Sequence, residues 1–154
     1  MFRYHPLLFT LITLLAIVEL GLSAHWVNLT QNEPSSRFKS LIDLFLFDSV
    51  WTLLFGAAYC FFILDGAMHV LASIGSSSIW LIITAIFWGV AAGLFGPVRG
   101  STNCNGTSGT SPCRQLQALY AIGWTEFALC VLTLLLSVFW VHSGRRSYRG
   151  SYYV

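Results

Sequence analysis

Residues 6–27 read PLLFTLITLLAIVELGLSAHWV, an apolar run interrupted by a single carboxylate, Glu19. At ~1.5 Å per helical residue the run is long enough to cross the ~30 Å hydrocarbon layer of a bilayer. Three more runs of this kind follow, at 49–72, 79–95 and 116–141. Composition agrees. Of 154 residues 56% are apolar and only 9% are charged, and the mean hydropathy is +0.71, whereas soluble domains carry about 25% charged residues. The predicted fold class is all-α: an integral membrane four-helix bundle with both termini on the same side. It forms one unit over residues 1–154, in which 142–154 is a short basic tail.

The four helices are joined by a polar stretch from Asn28 to Lys39, a tight SIGSSS turn at 73–78 and a Gly/Ser/Thr/Asn loop from Gly96 to Arg114. Trp26, Trp51, Trp80 and Trp140 fall at the ends of the predicted spans, where amphipathic rings favour the headgroup level. Lysine and arginine divide equally between the two sides: Arg3, Arg145, Arg146 and Arg149 against Arg37, Lys39, Arg99 and Arg114. The compact GRRSYR cluster at 144–149 breaks the tie and puts the termini in the cytoplasm. The opposite face then carries two N-x-T acceptors for N-glycosylation, Asn28 and Asn105. It also carries Cys104 and Cys113, which bracket a loop that a disulfide can close. This is the arrangement of a plasma-membrane or secretory-pathway protein. Arg3, the apolar Leu7–Val18 and LSA at 22–24 also resemble a signal peptide. The bulky Leu22 and the full span length argue for a retained helix.

Small and polar residues recur at helical spacing along each run. The stripes are Ala16, Glu19 and Ser23 in the first; Thr52, Gly56, Tyr59 and Gly66 in the second; Ala85, Gly89, Ala92 and Gly96 in the third; and Gly123, Glu126, Cys130, Thr133 and Ser137 in the fourth. Lipid provides no hydrophobic drive between helices, so packing at such residues and interhelical hydrogen bonds must hold the bundle. Gly89 and Gly93 form a G-x-x-x-G pair, read as packing within the bundle ahead of a homodimer face.

Glu19 and Glu126 each lie ~20 Å from the cytoplasmic end of their helix, and so share a depth. Two readings follow. The acids are packing glue, protonated or bonded to hydroxyls or backbone, or they form a proton or cation site. The first is preferred, because no intramembrane lysine or arginine, broken helix or inverted repeat accompanies them. Asp65 and His69 stand one helical turn apart as an interfacial pair. Asp43 and Asp48 flank the start of the second span, where acids suit the helix dipole. His25 meets Asp48 if those ends adjoin, without forming a metal site.

No catalytic motif, cofactor fingerprint or metal-ligand spacing is present, so no catalytic, cofactor-binding or metal residue is expected. Cys60 and Cys130 lie inside spans. A net charge of +2 is too small and too scattered for a nucleic-acid surface. The expected partners are membrane lipids and other membrane proteins or further copies of the chain. Arg145, Arg146 and Arg149 suit anionic headgroups, at ~1 kcal/mol for each base near the surface. Tyr148, Tyr152 and Tyr153 lie in the same tail.

Three stretches, AIVELGLSAHWV (16–27), DSVWTLLFGAAYCFF (48–62) and CRQLQALYAIGWTEFALCVL (113–132), resemble the MARVEL-domain group of tetraspan membrane proteins, especially its short fungal members. The resemblance covers nearly the whole chain. It implies cytoplasmic termini and a role in membrane apposition, vesicle traffic or sterol-rich membrane domains, with no catalytic residues. The short cytoplasmic ends depart from many members of that group. Claudin-like tetraspans share the layout but carry a cysteine pair in the first loop, which is lacking here. The expected function is therefore a non-enzymatic tetraspan organiser. The alternative is a small transporter, channel or accessory subunit that uses Glu19 and Glu126.

Overall fold

The computed structural model describes residues 4–32, 35–64, 74–99, 104 and 111–149. They form four helices: α1 (Tyr4–Leu29), α2 (Ser36–Leu64), α3 (Ile74–Arg99) and α4 (Pro112–Arg149), with a 3-10 turn at Thr30–Asn32. Each helix holds a stretch long and apolar enough to cross a membrane, at Leu7–Leu29, Ser36–Phe61, Ser76–Val98 and Pro112–Phe139. The chain is an all-α, multi-pass integral membrane protein.

Each helix packs on the next, and α4 closes the ring against α1. This is an up-down-up-down bundle. Two apolar clusters fill its interior. Near the start of α1 and the end of the α4 span lie Phe9, Ile12, Leu81, Ala85 and Cys130, with the Phe9 ring stacked on Tyr59 at 4.4 Å. At the opposite end lie Trp26, Leu41, Ile42, Phe45, Trp88, Phe95 and Leu119, where Phe45 meets Phe95 edge-on at 5.3 Å. Glycines let the backbones approach. A Cβ at Gly123 would stand 2.8 Å from the Phe45 ring, and one at Gly56 would stand 2.7 Å from Thr13 Oγ1. At either position a side chain would force its neighbour to shift.

The second helix begins earlier than the sequence suggested. It starts at Ser36 rather than at 49, so Lys39, Asp43 and Asp48 are helical and the first connection ends before them. Leu41, Ile42, Phe45, Asp48, Ser49 and Thr52 are all buried. Their three- and four-residue spacing continues the inner stripe of α2 without a break, which overrides the charges that seemed to mark a loop. Trp51 accordingly sits in the middle of α2 rather than at a membrane surface.

The other boundaries move too. The SIGSSS segment is not a turn, because α3 begins at Ile74. Ser76, Ser77 and Ser78 lie in the opening turns of the helix, where free backbone N–H groups make polar side chains welcome. Residues 65–73, with Asp65, Gly66 and His69, lie outside the described residues. The third loop is shorter than expected, since α3 runs to Arg99 and takes in Gly96 and Pro97. Helix α4 runs from Pro112 to Arg149, so the tail is helical through Arg145, Arg146 and Arg149. Tyr152 and Tyr153 lie beyond the described residues.

Candidate functional site

The interior stripes fall where their spacing places them. Ala16, Glu19 and Ser23 of α1 are fully buried, and Glu126, Cys130, Thr133 and Ser137 of α4 line the opposite wall of the same interior. Helices α1 and α4 are neighbours, so Glu19 and Glu126 face one interior. The sequence reading missed a third acid there. Asp48, expected at the mouth of α2, is fully buried.

Register explains why the three meet. Thr13 lies against Gly56 and Phe9 stacks on Tyr59. The antiparallel α1–α2 pair therefore sets Glu19 opposite Ser49 and Val50, one position from Asp48. On the other side Phe45 reaches Gly123 of α4, three residues before Asp48 and three before Glu126. Each acid also stands at the middle of its span. Glu19 is 12 residues past Leu7 and 10 before Leu29; Asp48 is 12 past Ser36 and 13 before Phe61; Glu126 is 14 past Pro112 and 13 before Phe139. The three carboxyls form one layer at the bundle midplane, between the two apolar clusters.

All six carboxyl oxygens of Glu19, Asp48 and Glu126 are buried without a hydrogen-bond partner. The expectation that hydroxyls or backbone groups bond these acids is therefore not met. The reason is local. Ser23 donates to its own helix at Glu19 O, 2.8 Å, and Ser49 donates to Phe45 O, 2.7 Å. Such i−4 bonds are the usual fate of a hydroxyl in an apolar helix. Two indoles serve the threonines of this level instead. Trp88 Nε1 donates to Thr52 Oγ1 at 3.1 Å, and Trp51 Nε1 donates to Thr84 Oγ1 at 3.2 Å. These bonds tie α2 to α3 and leave the acids to α1, α2 and α4.

The remaining candidates are dispersed. His25 is exposed on α1, six residues from Glu19, so it does not meet Asp48. Asp43 is exposed on α2. Among the described residues no group of three His, Cys, Asp or Glu side chains is arranged to hold a metal ion. Gly89 packs against the Phe127 ring, whereas Gly93 has open space around it. The G-x-x-x-G pair is thus split between the bundle interior and its outer surface.

Cys104 and Cys113 form a disulfide, with Cα atoms 5.9 Å apart, that fastens the third loop to the first turn of α4. Cys60 and Cys130 are free thiols. Asn28 is exposed in the last turn of α1. Thr30 of its sequon is buried and donates to Trp26 O at 2.8 Å. Asn105 lies outside the described residues. The chain matches no family model, no curated protein and no solved structure.

Proposed function

We propose that this chain is a non-enzymatic tetraspan protein that organises membrane domains or membrane traffic through lateral contacts with lipids and other membrane proteins. The outer surface of the bundle supports this reading. All four helices turn large apolar side chains outward: Leu14 and Val18 on α1, Leu54 and Phe61 on α2, Ile86 and Val90 on α3, Leu135 and Phe139 on α4. A surface of this kind offers shape and packing to its surroundings in the bilayer. The MARVEL-like texture of 16–27, 48–62 and 113–132 agrees with it. On this reading the termini, with Arg145, Arg146 and Arg149, face the cytoplasm and anionic lipid. The loop with Cys104, Asn105 and Cys113 faces the lumen or the cell exterior.

Isolation of the protein in native membrane patches, with analysis of the accompanying lipids and proteins, tests the proposal. Enrichment of a lipid class or a stoichiometric membrane partner is expected. A lipid and protein composition equal to that of the bulk membrane contradicts it.

One observation favours a second reading, transport or service as a subunit of a transport complex. It is the presence of unpartnered acids at the membrane midplane, since intramembrane acids often line ion and proton paths. Purified protein in liposomes distinguishes the two. Flux that disappears in Glu19→Gln and Glu126→Gln supports transport, and absence of flux in the wild-type protein removes it.

A further inference from the structure

We propose that Glu19, Asp48 and Glu126 form an intramembrane proton-binding site, in which protons carried by the acids supply the hydrogen-bond donors that the protein itself does not. The inference rests on neither functional reading above. It follows from the geometry of the carboxyl layer.

Three acids from three different helices converge at one depth, and none is accessible from outside. Six oxygens need donors and have none. An ionised carboxylate without a partner in a low-dielectric interior costs on the order of tens of kcal/mol by ideal solvation arguments. Several in one layer add mutual repulsion. The nearest hydroxyls, Ser23 and Ser49, are committed to their own helices. Among the described residues no base faces the layer. His25 of α1 is exposed. In α2, Arg37 and Lys39 stand at the opening of the helix, at least nine residues from Asp48. Residues 74–98 of α3 include no titratable side chain, and Arg114 of α4 is exposed at the far end of its span. The other titratable group at this level is the buried thiol of Cys130, one turn beyond Glu126.

A proton resolves the site where a metal ion does not, because the acids are not arranged to ligate one ion together. A protonated carboxyl has an O–H donor and a carbonyl acceptor, so neighbouring acids can satisfy one another across the helix seams. Proton occupancy is then coupled to the packing of α1, α2 and α4. Loss of protons places like charges across the α1–α2 and α1–α4 seams, and the layer opens.

Infrared spectroscopy of the protein in lipid nanodiscs reads this directly, through the carbonyl stretch of protonated carboxyls and its downshift in D2O. At neutral pH the band is expected in wild-type protein, with part of its intensity lost in each of Glu19→Gln, Asp48→Asn and Glu126→Gln and none lost in Asp43→Asn. Carbon-13 labelling of aspartate side chains in otherwise unaltered protein should move part of the band. This arm does not depend on the folding of any variant. A spectrum holding only ionised carboxylates overturns the proposal. So does a band indifferent to all three substitutions and to the label. So does loss of the band on adding Na+ or Ca2+ with a matching gain in thermal stability, which would make the site a cation site.

Discussion

The register of α1 against α2 sets Glu19 beside Asp48 at the middle of their spans, and neither carboxyl has a hydrogen-bond partner. With Glu126 of α4 they interrupt an otherwise apolar interior. Two clusters of aromatic and aliphatic side chains close this layer from above and below. The following predictions separate what holds the bundle together from what its acids do.

The acids should behave as one unit. Glu19→Gln and Asp48→Asn supply amide donors at nearly unchanged volume, so each single variant should unfold thermally within ~2 kcal/mol of wild type. The double variant should deviate from additivity by ~0.5–3 kcal/mol, the range for groups in contact or in one network. A double-mutant cycle in nanodiscs measures this. Additive effects would separate the two side chains.

Gly123 should tolerate a side chain only at a cost. Its missing Cβ is the space that the Phe45 ring fills, so Gly123→Ala should cost ~1–3 kcal/mol through overpacking. Gly93 has nothing within 4 Å of the same position. There Gly93→Ala should be neutral or stabilise the helix by up to ~1 kcal/mol. Thermal unfolding of the two variants side by side checks the contrast.

The indole bonds between α2 and α3 should differ in weight. Trp88 is fully buried, and Trp88→Phe leaves the Thr52 hydroxyl without its donor, at ~1–3 kcal/mol. Trp51 is only half-buried, so Trp51→Phe should cost less. Equal losses in unfolding experiments would mean that the difference in burial does not govern the cost.

The disulfide should stabilise the loop end of the bundle. Cys104 and Cys113 are separated by 9 positions, and closing a loop of that length is worth ~2.7 kcal/mol by chain entropy. Reduction, or Cys104→Ser with Cys113→Ser, should lower the unfolding midpoint while leaving the four spans helical by circular dichroism.

Much of this architecture was legible in the sequence, and the failures have two causes. Span number, the inner stripes of α1 and α4 and the loop disulfide followed from hydropathy, 3.6-residue periodicity and cysteine spacing. The start of α2 did not, because Lys39, Asp43 and Asp48 break the apolar run that marks a span. The spacing of Leu41, Phe45, Asp48 and Thr52 carried the missing signal: an acid in phase with the inward stripe of a helix is an interior acid. Trp51 was misplaced for the same reason, since a boundary set at residue 49 turns a mid-helix indole into an interfacial one. The SIGSSS segment shows the complementary limit. Serines open a helix as readily as they form a turn, and tertiary packing decides between the two.

The central claim is that Glu19, Asp48 and Glu126 face one another inside the bundle and not the lipid. Solid-state NMR of the labelled protein in bilayers, following magnetisation from lipid acyl-chain protons to protein carbons, tests it most directly. Strong transfer is predicted to the outward methyl groups of Val18 and Leu135, and none to the three carboxyl carbons. Transfer to any of these carboxyls as strong as that to Val18 would contradict the account.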